Sequence, residues 1–246
     1  MQRELTCYAM PISDASASLI DTAVCARVVE VRERIAAAAV RGGHGQVVTL
    51  IAVTKTNGPE VVEAAWRAGV EDVGENRVQE AESKMAVVSV PVRWHLIGHL
   101  QRNKAKSATR FCLVHGVDSE RLAEALQQAA KADGRVLDVL LQVNVSGEVS
   151  KAGVEPTAVA GVADRLRACT HLRVMGAMTM APFDAEEGIL RDVFAGARAA
   201  RAQLVQAGHP APWLSMGMSG DYEIAVEEGA THVRLGTVLF GDRPTP

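Results

Sequence analysis

Lys55 is a chemically reactive side chain that its surroundings place at the end of a buried element. It closes the uncharged stretch Thr49-Leu-Ile-Ala-Val-Thr-Lys55-Thr56, a Val/Ile/Thr-rich run of the kind that forms a strand covered on both faces. A primary amine there can attack a carbonyl carbon; the plain alternative is a lysine whose stem lies on apolar surface while its ammonium reaches water. Two later stretches carry groups that receive anions. Ser215-Met-Gly-Met-Ser219 offers hydroxyls and a helix start, and Arg234-Leu-Gly236-Thr237 offers a glycine that allows close approach and a second hydroxyl. Either stretch alone is better explained as simple helix capping.

These groups need elements to bring them together. Gly58-Pro59 ends the first strand and opens a helix, with proline at the first helical position where its missing N–H costs nothing. Val61, Val62, Ala65 and Trp66 form the inner face of that helix, and Gly69 follows its last turn. The short strand 71–73 delivers Gly74-Glu75-Asn76, and the next helix turns Val78, Ala81 and Met85 inward. Further strands are expected at 92–97, 112–117, 136–145, 172–178, 213–215 and 232–236, with Ser119 and Ser219 as helix caps and Pro156 in a first helical turn. Ahead of them all, a helix capped by Ser13-Asp14 carries the stripe Ile20, Val24, Val28, Val31 and Ile35. Gly42-Gly43-His44-Gly45 leaves a helix and enters a strand, the reverse of a phosphate fingerprint, and reads as a turn.

Eight strands alternating with helices predict an α/β protein, a single (β/α)8 TIM-type barrel with an additional N-terminal helix. One domain, residues 1–246, is expected, with a barrel core at about 47–241. A doubly wound open sheet is the competitor, and it would show a glycine-rich fingerprint after its first strand.

The net charge of −3 argues against nucleic acid as the main partner. Cys7, Cys25, Cys112 and Cys169 are scattered without a Cys-x-x-Cys pair, as suits reduced thiols. With no apolar run near the ~18 residues of a membrane span and no secretory h-region, a cytoplasmic protein is expected. His95 and His99 are four apart but lack the intervening Glu of a zinc protease helix, so no metal site is expected. Arg102, Lys104, Lys106 and Arg110 read as a solvated helix face.

In a (β/α)8 barrel the loops after strands seven and eight commonly bind phosphate, and both anion-receiving stretches fall there. A phosphate cradle with a strand-end lysine points to pyridoxal 5′-phosphate (PLP), whose aldehyde forms a Schiff base with a lysine amine. Six ordered motifs carry a resemblance: Ala52-Val-Thr-Lys-Thr56, Gly74-Glu-Asn-Arg-Val-Gln-Glu80, His95-Leu-Ile-Gly-His-Leu-Gln-Arg-Asn-Lys104, Asn144-Val-Ser-Gly-Glu-Val-Ser-Lys151, Leu214-Ser-Met-Gly-Met-Ser-Gly-Asp221 and Val233-Arg-Leu-Gly-Thr-Val-Leu-Phe-Gly241. From about residue 50 to 241 the chain resembles the pyridoxal phosphate homeostasis proteins, which share the barrel of the alanine racemase N-terminal domain.

The resemblance implies Lys55 as the Schiff-base lysine and Asn76 near the cofactor ring. It also implies Ser219, Gly236 and Thr237 at the phosphate and Arg234 near the pyridine nitrogen. Met218, in the loop after the seventh strand, joins the cofactor-binding candidates as a thioether wall, and core packing explains it equally well. Asn57 stands where many members carry a second lysine, and Arg77 where tyrosine often follows Gly-Glu-Asn. A PLP carrier without substantial amino-acid turnover is implied, with no catalytic residues. The partners expected are PLP and apo PLP-dependent enzymes as recipients, with no membrane, on a monomer. Two alternatives stay open: a weak PLP-dependent racemase or lyase, and a cofactor-free Schiff-base aldolase.

Overall fold

The uncharged run at Thr49 forms β1 (Thr49–Val53), and its second neighbour in the sheet is the strand that the chain makes last. The computed structural model describes residues 15–148 and 152–241. In it β2 (Asp72–Glu75), β3 (Arg93–Leu96), β4 (Leu113–Val117), β5 (Leu137–Gln142), β6 (Leu172–Met178), β7 (Trp213–Ser215) and β8 (His232–Leu235) follow in order. β8 then pairs in parallel with β1, from Thr49 opposite His232 to Ala52 opposite Leu235. The sheet is a closed eight-stranded barrel, which excludes the open-sheet competitor.

The helices are α1 (Ala15–Gly42), α2 (Pro59–Arg67), α3 (Val78–Met85), α4 (Ala105–Ala108), α5 (Glu120–Ala132), α6 (Val159–Leu166), α7 (Glu187–Gln206), α8 (Tyr222–Glu227) and α9 (Thr237–Phe240). The expected stripe of α1 is buried at Val24, Val28, Val31 and Ile35, while Ile20 stands 41% exposed. The expected caps Ser13 and Asp14 lie outside the described residues. α1 packs against α2, α8 and α9, so it fills the gap in the helical ring beside the short α9. Arg34 and Arg41 of α1 pair with Glu223 and Glu227 of α8 along this contact. No helix among the described residues is long and apolar enough to cross a membrane.

Several local expectations shift. Trp66 is 38% exposed rather than inward: only Val61, Val62, Ala64 and Ala65 of α2 are buried. β1 ends two residues before Lys55, because the chain turns at Thr54, whose carbonyl accepts from the Asn57 N–H at 3.1 Å. Ser119 caps α5 as expected, accepting from the Leu122 N–H. Ser219 does not cap α8, which begins after Asp221. The short helix α9 was not expected after β8; the pattern of four residues is too brief to register a period.

Alternation along the strands divides the interior in two. One face, including Leu50, Ala52, Val73, Leu96, Val114, Leu214, Val233 and Leu235, packs against the helices in the main core. The other face fills the barrel. There Leu113, Leu140 and Met178 pack with Met175, Met180 and Trp213, and three histidine rings lie together, with His95–His115 centroids 5.2 Å apart and His115–His232 centroids 6.2 Å apart.

These histidines make stability sensitive to acid. Burial, as the largest cause, pushes the His232 imidazole down to about 3, and burial holds His115 well below the ordinary value of 6.5. Above pH 6.5 both are neutral in the folded and unfolded chain. Between there and the folded values the unfolded chain takes up protons that the fold refuses, so stability falls with pH by roughly 1.4 kcal/mol per unit for each histidine. Urea unfolding at pH 7.5 and 5.0 should therefore show a loss of about 3–4 kcal/mol. An unchanged midpoint would mean that the buried rings accept protons in place.

Candidate functional site

The turn that carries Lys55 is strained and heavily tied. Thr56 sits at φ 65°, a left-handed conformation that is unusual for a β-branched residue and costs about 1–3 kcal/mol. Its N–H donates to the Glu80 carboxylate. Its hydroxyl and the Asn57 side-chain amide both donate to the Lys55 carbonyl, at 2.6 and 3.3 Å.

Beneath the turn lies a second lysine. Lys84 of α3 is buried, and its Nζ donates to the Thr54 carbonyl at 2.8 Å, to Glu75 Oε1 at 2.6 Å and to Glu80 Oε1 at 3.0 Å. Thr54 Oγ1 also donates to Glu75 Oε1. Burial raises the Glu75 carboxyl despite Lys84 and Thr54, and its Oε2 has no partner among the described residues. Lys84 escaped the sequence reading, which placed Met85 inward. The signal was present: Lys84 follows Ala81 by three positions and Glu80 by four, so it lies on the inner face of α3 beside an acid.

Across the barrel seam lies the turn expected to receive an anion. The register that sets Ala52 opposite Leu235 brings Gly236 beside Val53, and a side chain on Gly236 would lie 3.4 Å from the Val53 carbonyl. Lys55 is two residues past Val53, so its backbone and this turn lie at the same end of the barrel, at the carboxyl ends of the strands. The Gly236 and Val238 N–H groups converge on Ser219 Oγ, at 3.3 and 3.4 Å. Ser219 thus faces the start of α9 rather than capping α8. Thr237, the first residue of α9, is exposed. Gly217 (φ 94°) lets the preceding loop pass α8, where a side chain would meet Ala225 Cβ at 2.7 Å. Met218 is half-buried in that loop, and its N–H donates to the Asp221 carboxylate.

Arg234 points into the barrel below this turn, as the alternation of β8 predicts. It is 4% exposed; its Nη1 donates to Ser215 Oγ at 2.6 Å and its Nη2 to the Thr179 carbonyl at 3.0 Å. Burial lowers its pKa to about 10 against the opposing charge of Asp221, so it stays a cation at neutral pH. Asn76, half-buried at the end of β2, is pressed by the next strand end: a side chain on Gly98 would meet Asn76 Cα at 2.7 Å. His95 and His99 do not converge. His95 faces Asp72 and His115 inside the barrel, while His99 is 63% exposed beside Asp118.

Two donors aimed at one acceptor oxygen, a cation in the lumen beneath them and a lysine across the seam suit a small anionic carbonyl compound. A parallel barrel with this mouth is of the alanine racemase type: the model described as "Alanine racemase, N-terminal domain" matches residues 30–244. An alanine racemase from Corynebacterium glutamicum has the same fold, with a TM-score of 0.69 at 18% identity, covering 91% of this chain and 62% of that one.

Within that class the chain belongs to the pyridoxal phosphate homeostasis protein family. It is 40% identical over 223 residues to the pyridoxal phosphate homeostasis protein of Aquifex aeolicus, covering 89% of this chain and 98% of that protein. The structure of PipY from Synechococcus elongatus without PLP matches with a TM-score of 0.80 at 37% identity, over 89% of this chain and all of that one. The same protein with PLP bound matches with a TM-score of 0.78 at 35% identity.

Lys84→Met should be costly, because it leaves the Glu75 carboxylate buried without its cation and frees the Thr54 carbonyl. A loss of about 3–5 kcal/mol in urea unfolding at pH 7 is expected. A loss below ~1 kcal/mol would show that Glu75 is held neutral and that the cluster does not fix the turn.

Proposed function

We propose that the protein is a PLP carrier that holds the cofactor covalently on Lys55 and serves intracellular PLP homeostasis, releasing it to apo-enzymes and turning over little amino acid. The observation that carries this reading is the meeting, at the β1–β8 seam, of the Lys55 turn with the two N–H donors of Gly236 and Val238 above Arg234. Membership of a family whose relatives are named for PLP homeostasis, one of them solved with PLP bound, supports it.

Bound PLP supplies an aldehyde for a lysine amine, a phosphate and an aromatic electron sink. The chain's own groups match these parts. Ser219, Thr237 and the Gly236 and Val238 N–H groups bind the phosphate, and their hydrogen bonds to it are charge-assisted. Asn76 and Met218 wall the ring. Arg234, a permanent donor, would meet the ring nitrogen as an acceptor, so the bound ring would be a weaker electron sink than a carboxylate partner would make it.

Racemisation with two bases needs acid/base groups on opposite faces of the reacting carbon, and Lys55 is one. Tyr8 lies outside the described residues. Tyr222 is buried on the outer side of the barrel, with its ring under Arg34 of α1 at 5.6 Å. This supports the carrier over the racemase. A cofactor-free aldolase is disfavoured by the same family membership.

Borohydride reduction of the loaded protein, followed by peptide mass mapping, should place the label on Lys55; label on another lysine with none on Lys55 sinks the assignment. Pyridoxal lacking its phosphate should bind far more weakly than PLP, and Ser219→Ala should weaken PLP binding by about 1–3 kcal/mol. Racemisation of alanine or serine at an ordinary enzymatic rate, on the order of 1–10³ s⁻¹, would make the protein an enzyme instead.

A further inference from the structure

A continuous line of buried polar groups runs from the floor of the candidate site to the opposite end of the barrel. Arg234 Nη1 donates to Ser215 Oγ at 2.6 Å. Ser215 Oγ lies 2.8 Å from His115 Nδ1, His115 Nε2 lies 3.0 Å from His95 Nδ1, and His95 Nε2 lies 2.8 Å from Asp72 Oδ1. Asp72 is also bound by Arg93 Nε and Nη2, at 2.8 and 2.6 Å. Every side chain from Arg234 to Asp72 is buried. Around the line stand His232, whose ring is 6.4 Å from His95 and 6.2 Å from His115 and whose Nδ1 meets Thr231 Oγ1, and Trp213, 5.0 Å from His232.

The two ends fix the direction of every hydrogen bond between them. A guanidinium can only donate, and an ionised carboxylate can only accept. Burial raises the Asp72 carboxyl, but hydrogen bonds from His95 and Arg93 outweigh it and hold the group well below the usual carboxylate range. His95 must then carry its proton on Nε2, which leaves Nδ1 of a neutral ring bare. His115 must donate to that nitrogen from Nε2, so its own Nδ1 is bare and accepts the Ser215 hydroxyl proton. Ser215 is left with its oxygen lone pairs toward Arg234. All four bonds point from the guanidinium to the carboxylate, and such aligned chains strengthen each bond in turn. The opposite order would leave the Ser215 hydroxyl receiving two donors while its own proton sought a further acceptor.

We propose that Asp72, His95, His115 and Ser215 form a positioning relay in which the carboxylate at the far end of the barrel orients and holds the Arg234 guanidinium against the cofactor ring. The link to the cofactor rests on the carrier reading; the direction of the relay does not. The four residues do not touch the cofactor. Their role is to keep a buried cation in one place, and a change at Asp72 reaches the site through four hydrogen bonds.

Two measurements test this. In the cofactor-free full chain labelled with ¹⁵N-histidine, long-range ¹H–¹⁵N correlation at pH 7.5 should show His95 and His115 both neutral, protonated on Nε2 and bare on Nδ1. The other tautomer or a doubly protonated ring at either position overturns the relay, and this result needs no variant to fold. In the loaded protein, release of PLP to a trapping amine should be roughly three- to tenfold faster in both Asp72→Asn and Ser215→Ala, and the double variant should be no faster than the faster single one. Asp138→Asn, which loses the Asp138–Arg173 pair at the same end of the barrel, should release PLP at the wild-type rate. Wild-type release from Asp72→Asn, or additive effects, overturns the coupling. A wild-type protein that takes up no PLP overturns the carrier reading and leaves the tautomer result standing.

Discussion

Closure of the sheet is the constraint on which the site depends. Lys55 and Gly236 are far apart in sequence, and they become neighbours only because β8 lies beside β1 with Ala52 opposite Leu235. A barrel has no free edge, so the two strand ends are pinned by continuous pairing rather than by a few side-chain contacts. The mouth inherits that rigidity. What varies is the loops, and here one loop is strained at Thr56 and the other is drawn tight by Ser219.

The price of such a mouth is two cations taken out of water, and the protein treats them differently. Lys84 sits among Glu75, Glu80 and the Thr54 carbonyl, so its charge is countered at contact distance. Arg234 donates to a hydroxyl and a carbonyl, with Asp221 as an opposing charge. Removing one partner from a buried charge costs far more than the net worth of the pair. Lys84 therefore acts as a fixed support for the turn carrying Lys55.

How much of this could be read from the chain depends on the kind of signal. The strand, helix and glycine pattern gave the barrel, and Thr49 to Lys55 stood out because a charge ends an uncharged run. The face of Arg234 followed from simple alternation along β8. By contrast the bend at Thr54, which carries Lys55 beyond the strand, comes from the Lys84 cluster, a set of contacts between residues up to 30 apart. Ser219 looked like the cap of the helix that follows it and instead serves the start of α9, since a hydroxyl's partner across a seam leaves no trace in local spacing. The relay was visible only as polar residues interrupting apolar strands, His115 within β4 and Ser215 at the end of β7, and nothing in their sequence positions pairs them.

α1 carries a consequence for how the molecule is made. Its valines are covered partly by α8, and Arg34 meets Glu223 at a separation of 189 residues. Contacts of that span form late, because the intervening chain must first be brought together. During synthesis α1 is made well before α8 and α9, so the part of it that those helices cover stays open until nearly all of the described chain has followed. The nascent protein therefore carries a partly open helix until late in its synthesis, and the step that closes it over is the same step that brings the last strand to the first.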